Sequence, residues 1–388
     1  MSKNEIICFG TFLVIAFSSC GPSKKVTTTM SENSIYTNEV LQKMRLANQY
    51  FMDKWPDPGK ETVTDKVRPS NIWTRGVYYE GLMALYSIDP QKKYYDYALD
   101  WGQKHHWDLW GDVESGGADN QCCGQTYIDL YLLDKKQNPE RIQRIKTSID
   151  IMVARDKVDD WWWIDAIQMA MPIFAKFGVI YNDTSYFRKM YQLYSYTKYK
   201  HGDNGLYNPK DHLWWRDRDF DPPYTEPNGQ DCYWSRGNGW VFVALARTLS
   251  LLPKSDAHYN EYLQDYKDMA GAILKVQRPD GFWNVSLHDS THFGGKETTG
   301  TSMFAFGFAW GINNNILDVN TYKPAVEKAW SGLASAVHDN GFLGYVQGTG
   351  KEPKDSQPVT YDHVPNFEDF GLGAFLLAGS EVYKLGKH

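Results

Sequence analysis

Gly371-Leu372-Gly373-Ala374-Phe375-Leu376-Leu377-Ala378 carries no polar side chain on any face, so a helix made from it must be buried all round. Gly239-Trp240-Val241-Phe242-Val243-Ala244-Leu245-Ala246 has the same character. The stretch from Pro139 to Arg155 does not: Glu140, Arg141, Arg144 and Lys146 give it a charged face suited to an outer, solvated layer. Outward from these segments, helical periodicity predicts twelve helices, near 36–54, 74–88, 91–106, 121–134, 138–155, 163–178, 183–200, 236–251, 256–277, 299–314, 320–337 and 367–384. Amphipathic and apolar helices alternate along that series, odd members outer and even members inner. Six apolar helices wrapped by six amphipathic ones make an all-α (α/α)6 barrel of six helical hairpins. An irregular solenoid of the same hairpins is the other arrangement this pattern permits. Nothing between the helices has the length or alternation of a sheet, although the Gly-rich and aromatic connections leave room for short hairpins.

The 388-residue chain is 42% hydrophobic and 15% aromatic, ample for a large core. Its 15 Trp and 26 Tyr serve equally as core or as platforms for the weakly apolar faces of sugar rings. A net charge of −6 gives no basic footprint and argues against nucleic acid as a partner. Lys3, the apolar run from Ile6 to Phe17 and then Ser18-Ser19-Cys20-Gly21 predict a secretory leader over 1–20, with Cys20 as the lipid acceptor of a bacterial lipoprotein. Simple cleavage is the alternative. Residues 21–34, rich in Ser, Thr and Lys, are expected to be a tether, and 35–388 a single domain. The expectation is thus a periplasmic, outer-membrane lipoprotein that meets the membrane only through its anchor. Cys122, Cys123 and Cys232 are odd in number and lack metal-ligand spacing, so they are expected to be buried apolar residues, with no metal or cofactor.

The unusual residues gather where apolar helices begin: Asn71 to Arg75, Gly116 to Gln121, Trp161 to Asp165, Trp234 to Trp240, Glu297 to Thr301 and Pro365 to Asp369. All six starts therefore fall at one end of the barrel, where helix N-termini favour an anionic group. In Trp161-Trp162-Trp163-Ile164-Asp165 a carboxylate is held among indoles, which favours its protonated form and makes Asp165 a candidate general acid. A helix-capping Asp would look the same. Asp119 starts the neighbouring inner helix, roughly 10 Å away axis to axis, so two inward carboxylates could share one sugar ring and push their proton affinities apart. In Trp234-Ser235-Arg236-Gly237-Asn238-Gly239-Trp240, Arg236 offers a donor fork for a carboxylate and Trp234 and Trp240 offer stacking faces; an internal ion pair would be the structural use of the same Arg. Trp163 and Thr299 belong to the same clusters as substrate contacts. The long polar and aromatic connection from Asp203-Asn204-Gly205-Leu206-Tyr207 to Asp211-His212-Leu213-Trp214-Trp215-Arg216 makes His212 a further candidate.

Ala118-Asp119-Asn120-Gln121, Trp163-Ile164-Asp165-Ala166 with Met169 and Met171-Pro172, Trp234 to Trp240, and Thr298-Thr299-Gly300-Thr301-Ser302-Met303-Phe304 resemble the motifs of unsaturated rhamnogalacturonyl hydrolases, glycoside hydrolase family 105, to which the unsaturated glucuronyl hydrolases of family 88 are related. The resemblance covers roughly 36 to 385. It implies an (α/α)6 barrel, no metal, Asp165 as general acid and base, and Asp119 as second carboxylate. It also implies removal of a 4,5-unsaturated uronic acid from the non-reducing end of lyase-generated oligosaccharides, of rhamnogalacturonan type as in pectin breakdown, by hydration of the C4–C5 double bond. One departure stands out: after Gly205-Leu206-Tyr207 the family usually shows a His within an aromatic run, whereas this chain has Asn208-Pro209-Lys210 before His212. The rival functions are action on another polyuronide, an inverting glycosidase using Asp119 and Asp165 about a water, an epimerase using His212 and His363, and a non-catalytic glycan-binding lipoprotein.

Overall fold

A computed structural model describes residues 32–202 and 204–387. The outer helices are α1 (Glu32–Lys54), α3 (Lys92–Lys104), α6 (Glu140–Ala154), α8 (Thr184–Tyr199), α10 (Tyr259–Lys275) and α12 (Val319–Ser335). The inner ones are α2 (Trp73–Ile88), α5 (Gly124–Leu133), α7 (Asp165–Tyr181), α9 (Ser235–Leu249), α11 (Thr298–Asn313) and α13 (Asp369–Leu385). A single extra turn, α4 (Ala118–Gln121), precedes α5. Two small hairpins complete the described residues: β1 (Thr62–Val63) with β2 (Val67–Arg68), and β3 (Tyr207–Asn208) with β4 (Leu213–Trp214), both antiparallel.

The inner helices close on themselves. Helix α2 packs on α5, α5 on α7, α7 on α9, α9 on α11, α11 on α13, and α13 returns to α2. That last contact decides between barrel and solenoid, because a solenoid leaves its end repeats apart. The apolar runs behave as their composition demands: every residue of α11 from Thr298 to Ile312 is buried. Gly373 meets Gly81 where α13 crosses α2; a methyl at Gly81 would lie 2.4 Å from the Gly373 carbonyl oxygen, so these two backbones touch. Cys122, Cys123 and Cys232 are free and buried.

Two boundaries differ from the sequence expectation. The helix expected over 121–134 is broken at Cys122-Cys123, and the detached turn α4 carries Asp119 to the barrel mouth. Helix α1 begins at Glu32, inside the expected tether, while Cys20 and the expected leader lie outside the described residues. Among the described residues no helix is long and apolar enough to cross a membrane.

Pro172 lies inside α7 and has no N–H to offer the carbonyl of Gln168 one turn back. Gln125 from α5 supplies the missing donor: its Nε2 reaches the Gln168 oxygen at 2.8 Å and that of Met169 at 3.1 Å. A buried carbonyl is thus satisfied by a neighbouring helix, and α7 continues to Tyr181.

Candidate active site

A cavity of about 220 Å³ opens at the end where the inner helices start. Its wall comprises Trp73, Asp119, Trp162, Trp163, Asp165, Met169, Arg216, Trp234, Arg236, Thr349 and Gly350. Four of the six helix starts singled out in the sequence reach it. The other two are spent on structure: Glu297 caps α11 by accepting from the N–H groups of Thr299 and Gly300, and Asp369 is ion-paired with Arg75. A larger hollow of about 900 Å³ lies at the opposite end, among the C-terminal halves of the inner helices. Its buried Glu80 and half-buried Asp129 are paired with Arg247 and Lys176, which leaves the acid pair and indoles of the smaller cavity as the better setting for chemistry.

Asp165 is the first residue of α7 and is almost fully buried. Burial raises its pKa, and the charges of Arg216 and Arg236 oppose that rise. Arg216 donates from Nε to Asp165 Oδ2 at 3.0 Å and from Nη1 to Asp217 Oδ2 at 2.5 Å. The chain brings Arg216 there by a backbone bond, Ile164 N–H to the Arg216 carbonyl at 3.0 Å, which ties the residue before Asp165 to its counter-ion. Asp119 makes no side-chain hydrogen bond to a described residue. Burial first, and the nearby charge of Asp165 second, push its pKa up to about 6 against the pull of Arg216. The two carboxyl groups therefore titrate as a coupled pair within one cavity, flanked by indoles.

The segment from Trp234 to Trp240 organises the wall rather than only lining it. Arg236 is fully buried, and its Nη1 and Nη2 donate to the carbonyls of Gln347 and Gly348 at 2.6 and 2.7 Å. Trp234 Nε1 donates to Gln347 Oε1 at 3.0 Å. Together they hold the loop whose next residues, Thr349 and Gly350, close the cavity. Asn238 clamps Trp214 in both directions, accepting its N–H at 2.8 Å and donating to its carbonyl at 3.0 Å, and so anchors the strand that leads into Arg216. Burial pushes the Arg236 guanidinium down to about 10, and its stacking partners are Trp234 and Phe370, 4.4 and 4.8 Å from the ring centres.

Asp119, Asp165, Trp163, Trp234 and Arg236 thus share one cavity, and three other candidates do not reach it. Trp240 is buried behind it, edge-on to Trp73 with ring centres 6.4 Å apart, because the apolar face of α9 that carries it points into the core. Thr299 is fully buried and bonded to Glu297, completing the cap of α11. His212 sits at the β3–β4 turn, bonded to the Tyr207 hydroxyl at 2.9 Å and facing Asp268 of α10, because the inserted hairpin carries it outward. His363 is likewise absent from the wall, which removes the paired histidines that an epimerase reading needs. The role expected for Arg236 also shifts, since both of its Nη groups are engaged by backbone carbonyls. The sequence points to the segments that hold Trp73 and Arg216 without giving either residue a role, and it does not point to Thr349 or Gly350 at all. Arg216 had a signal, an Arg closing the aromatic run Trp214-Trp215; Thr349 and Gly350 had none.

An acid pair among indoles, at the mouth of a closed double ring of helices, is the arrangement of a carbohydrate-cleaving enzyme. Residues 43–386 match the family model of Glycosyl Hydrolase Family 88, and the chain belongs to that family. It is a glycoside hydrolase. Among curated proteins, it is 33% identical over 331 residues to the unsaturated 3S-rhamnoglycuronyl hydrolase of Formosa agariphila, covering 81% of this chain and 84% of that one. Among solved structures, a family 88 glycosyl hydrolase from Bacteroides vulgatus superposes with a TM-score of 0.81 at 32% identity, covering 90% of this chain and 99% of that one. A family 105 hydrolase from C. acetobutylicum gives 0.68 at 21% identity over 87% and 98%, a likeness of fold.

Proposed function

We propose that this protein removes a 4,5-unsaturated uronic acid from the non-reducing end of lyase-generated oligosaccharides, with rhamnose as the sugar it leaves behind. The observation that carries the reading is the pair of half-buried Asp119 and buried Asp165 beside Trp162, Trp163 and Trp234, with a guanidinium on Asp165. The relative from Formosa agariphila, whose name joins a rhamnose to an unsaturated glycuronate, supports the choice of sugars.

An unsaturated uronide is a vinyl ether, so protonation at C4 places developing positive charge on C5 and the ring oxygen. Protonated Asp165 delivers that proton. The Asp165 carboxylate then takes a proton from the water that adds at C5, and the resulting hemiketal opens and expels the leaving sugar. Asp119, second carboxylate of the pair, disfavours ionised Asp165 before transfer and orients the water. Trp162 and Trp163 provide apolar faces for the ring. We also propose that Cys20 carries a lipid and that the enzyme works in the periplasm.

The test is loss of the conjugated-alkene absorbance when purified protein meets oligosaccharides from a rhamnogalacturonan lyase, from a pectin lyase and from a lyase acting on a rhamnose–glucuronate polymer. Loss with the rhamnogalacturonan or the rhamnose–glucuronate digest supports rhamnose as the sugar left behind, and loss with the pectin-lyase digest alone names another aglycone. Cleavage with the absorbance intact would sink double-bond hydration and favour an inverting mechanism.

A further inference from the structure

Of the two cations in the cavity wall, Arg216 is the one with an Nη group uncommitted to a described residue; Arg236 has only its buried Nε unpaired. Arg236 commits both Nη groups to backbone carbonyls, whereas Arg216 commits Nε to Asp165 and Nη1 to Asp217, and its Nη2 donates to no described residue. Its guanidinium lies 5.7 Å from the ring centre of Trp162, whose 49% exposure places the pair at the mouth. The hydration mechanism above requires Asp165 to be protonated, yet the ion pair with Arg216 stabilises the ionised form. Arg216 therefore holds back the rise in proton affinity that burial gives Asp165. A uronate brings a planar carboxylate, the partner for which an arginine fork is best shaped.

We infer that Arg216 is an exchangeable counter-ion: the substrate carboxylate draws it away from Asp165, and Asp165 then takes up from solvent the proton it delivers to C4. The inference rests on the function proposed above. The charges acting on Asp165 are Arg216, Arg236 from α9 and Asp119 from α4. Helices α5 and α8, also packed on α7, turn their charged groups elsewhere, Asp129 to Lys176 and Lys198 to Glu261 and Asp265. Once Arg216 has moved onto the substrate, burial still opposes ionisation of Asp165, as does any negative charge on Asp119, and what favours it is reduced to Arg236 and a backbone hydrogen bond. The direction is fixed: proton affinity rises when a uronate binds. A neutral sugar leaves the ion pair intact, so Arg216 acts as a specificity filter for the carboxylate and as a positioning residue for the acid.

The experiment follows alkene absorbance with the wild-type enzyme on one unsaturated disaccharide, as free acid and as methyl ester, across pH. For the acid, kcat should persist to higher pH than kcat/KM, because the bound complex holds its proton more tightly than the free enzyme. For the ester the two alkaline limbs should coincide, and kcat/KM should favour the acid by at least about tenfold, the worth of one charge-assisted contact. Arg216→Gln should erase most of that preference. Arg216→Lys, keeping charge without the fork, should recover part of it in KM while leaving the limbs together. Coincident limbs for the acid in wild type, or an acid preference undiminished in Arg216→Gln, would overturn the inference. If melting shows Arg216→Gln unfolded, the wild-type limbs decide alone. Absence of absorbance loss with both substrates would remove the hydration mechanism itself, whereas turnover with coincident limbs removes only the counter-ion exchange.

Discussion

At the residue scale, Asp165 and Asp119 have different costs. Asp165→Asn keeps the shape and the hydrogen bond from Arg216 but cannot deliver a proton, so turnover should fall by about 10²–10⁴-fold while the far-ultraviolet spectrum is unchanged. Asp119→Asn should lose activity and gain stability. The folded pKa of Asp119, about 6, lies above that of an unfolded carboxylate, so between the two values the native state binds more protons. The stability this supplies is present below roughly pH 4 and is lost as pH rises through 6. At pH 7.5 the ionised, half-buried group is a burden, and removing its charge should raise the unfolding free energy by on the order of 1–2 kcal/mol after screening by solvent, a gain that disappears near pH 4. Denaturant melts at the two pH values check the sign. The acid was visible in the sequence because three indoles precede it; its counter-ion was not, since Arg216 meets Asp165 across a separation of 51 residues.

At the level of single elements, the odd features of the inner helices are answered by their neighbours. Gln125→Leu would leave the Gln168 carbonyl, already deprived of a donor by Pro172, buried and unsatisfied, at a cost of about 1–3 kcal/mol. Chemical denaturation measures that loss, which Pro172→Ala in the same background should partly restore by returning the helical N–H. Gly373→Ala tests the crossing of α13 on α2. In an exposed helix this exchange stabilises by about 1 kcal/mol. Here the new methyl would fall 2.2 Å from the Val77 carbonyl oxygen, so the sign should reverse, with a loss of about 1–3 kcal/mol or more. The alternation of charged and apolar helices was legible because 3.6-residue periodicity survives in the chain. The break at Cys122-Cys123 was not, because both cysteines suit a buried helix and only their packing turns the chain there.

For the whole molecule, closure of the ring depends on α13 returning to α2, and Arg75 with Asp369 marks the seam. Arg75 donates from Nε to Asp369 Oδ2 at 3.0 Å, both are almost fully buried, and Nη2 reaches Thr62 Oγ1 at 3.0 Å. Asp369→Ala would leave a buried cation unpaired, and should cost about 3–5 kcal/mol. Because first and last inner helices meet, weakening the seam should lower one cooperative transition rather than free a terminal unit. Circular dichroism and tryptophan fluorescence should therefore melt together in wild type and variant alike. A fluorescence transition that precedes helix loss would contradict a closed ring.

What the sequence determined by itself is whatever depends on local periodicity and residue type: twelve helical segments, their division into inner and outer, and an acid placed among indoles at a helix start. Those properties follow from patterns a few residues long. Tertiary structure decided the rest. The Trp234 to Trp240 segment has the composition of a ligand clamp, yet its Arg236 holds carbonyls more than 100 residues away with both Nη groups, and the cation with an Nη group uncommitted to a described residue is Arg216. Which of two arginines is spent and which is available depends on what distant backbone each one meets, and no local pattern encodes that.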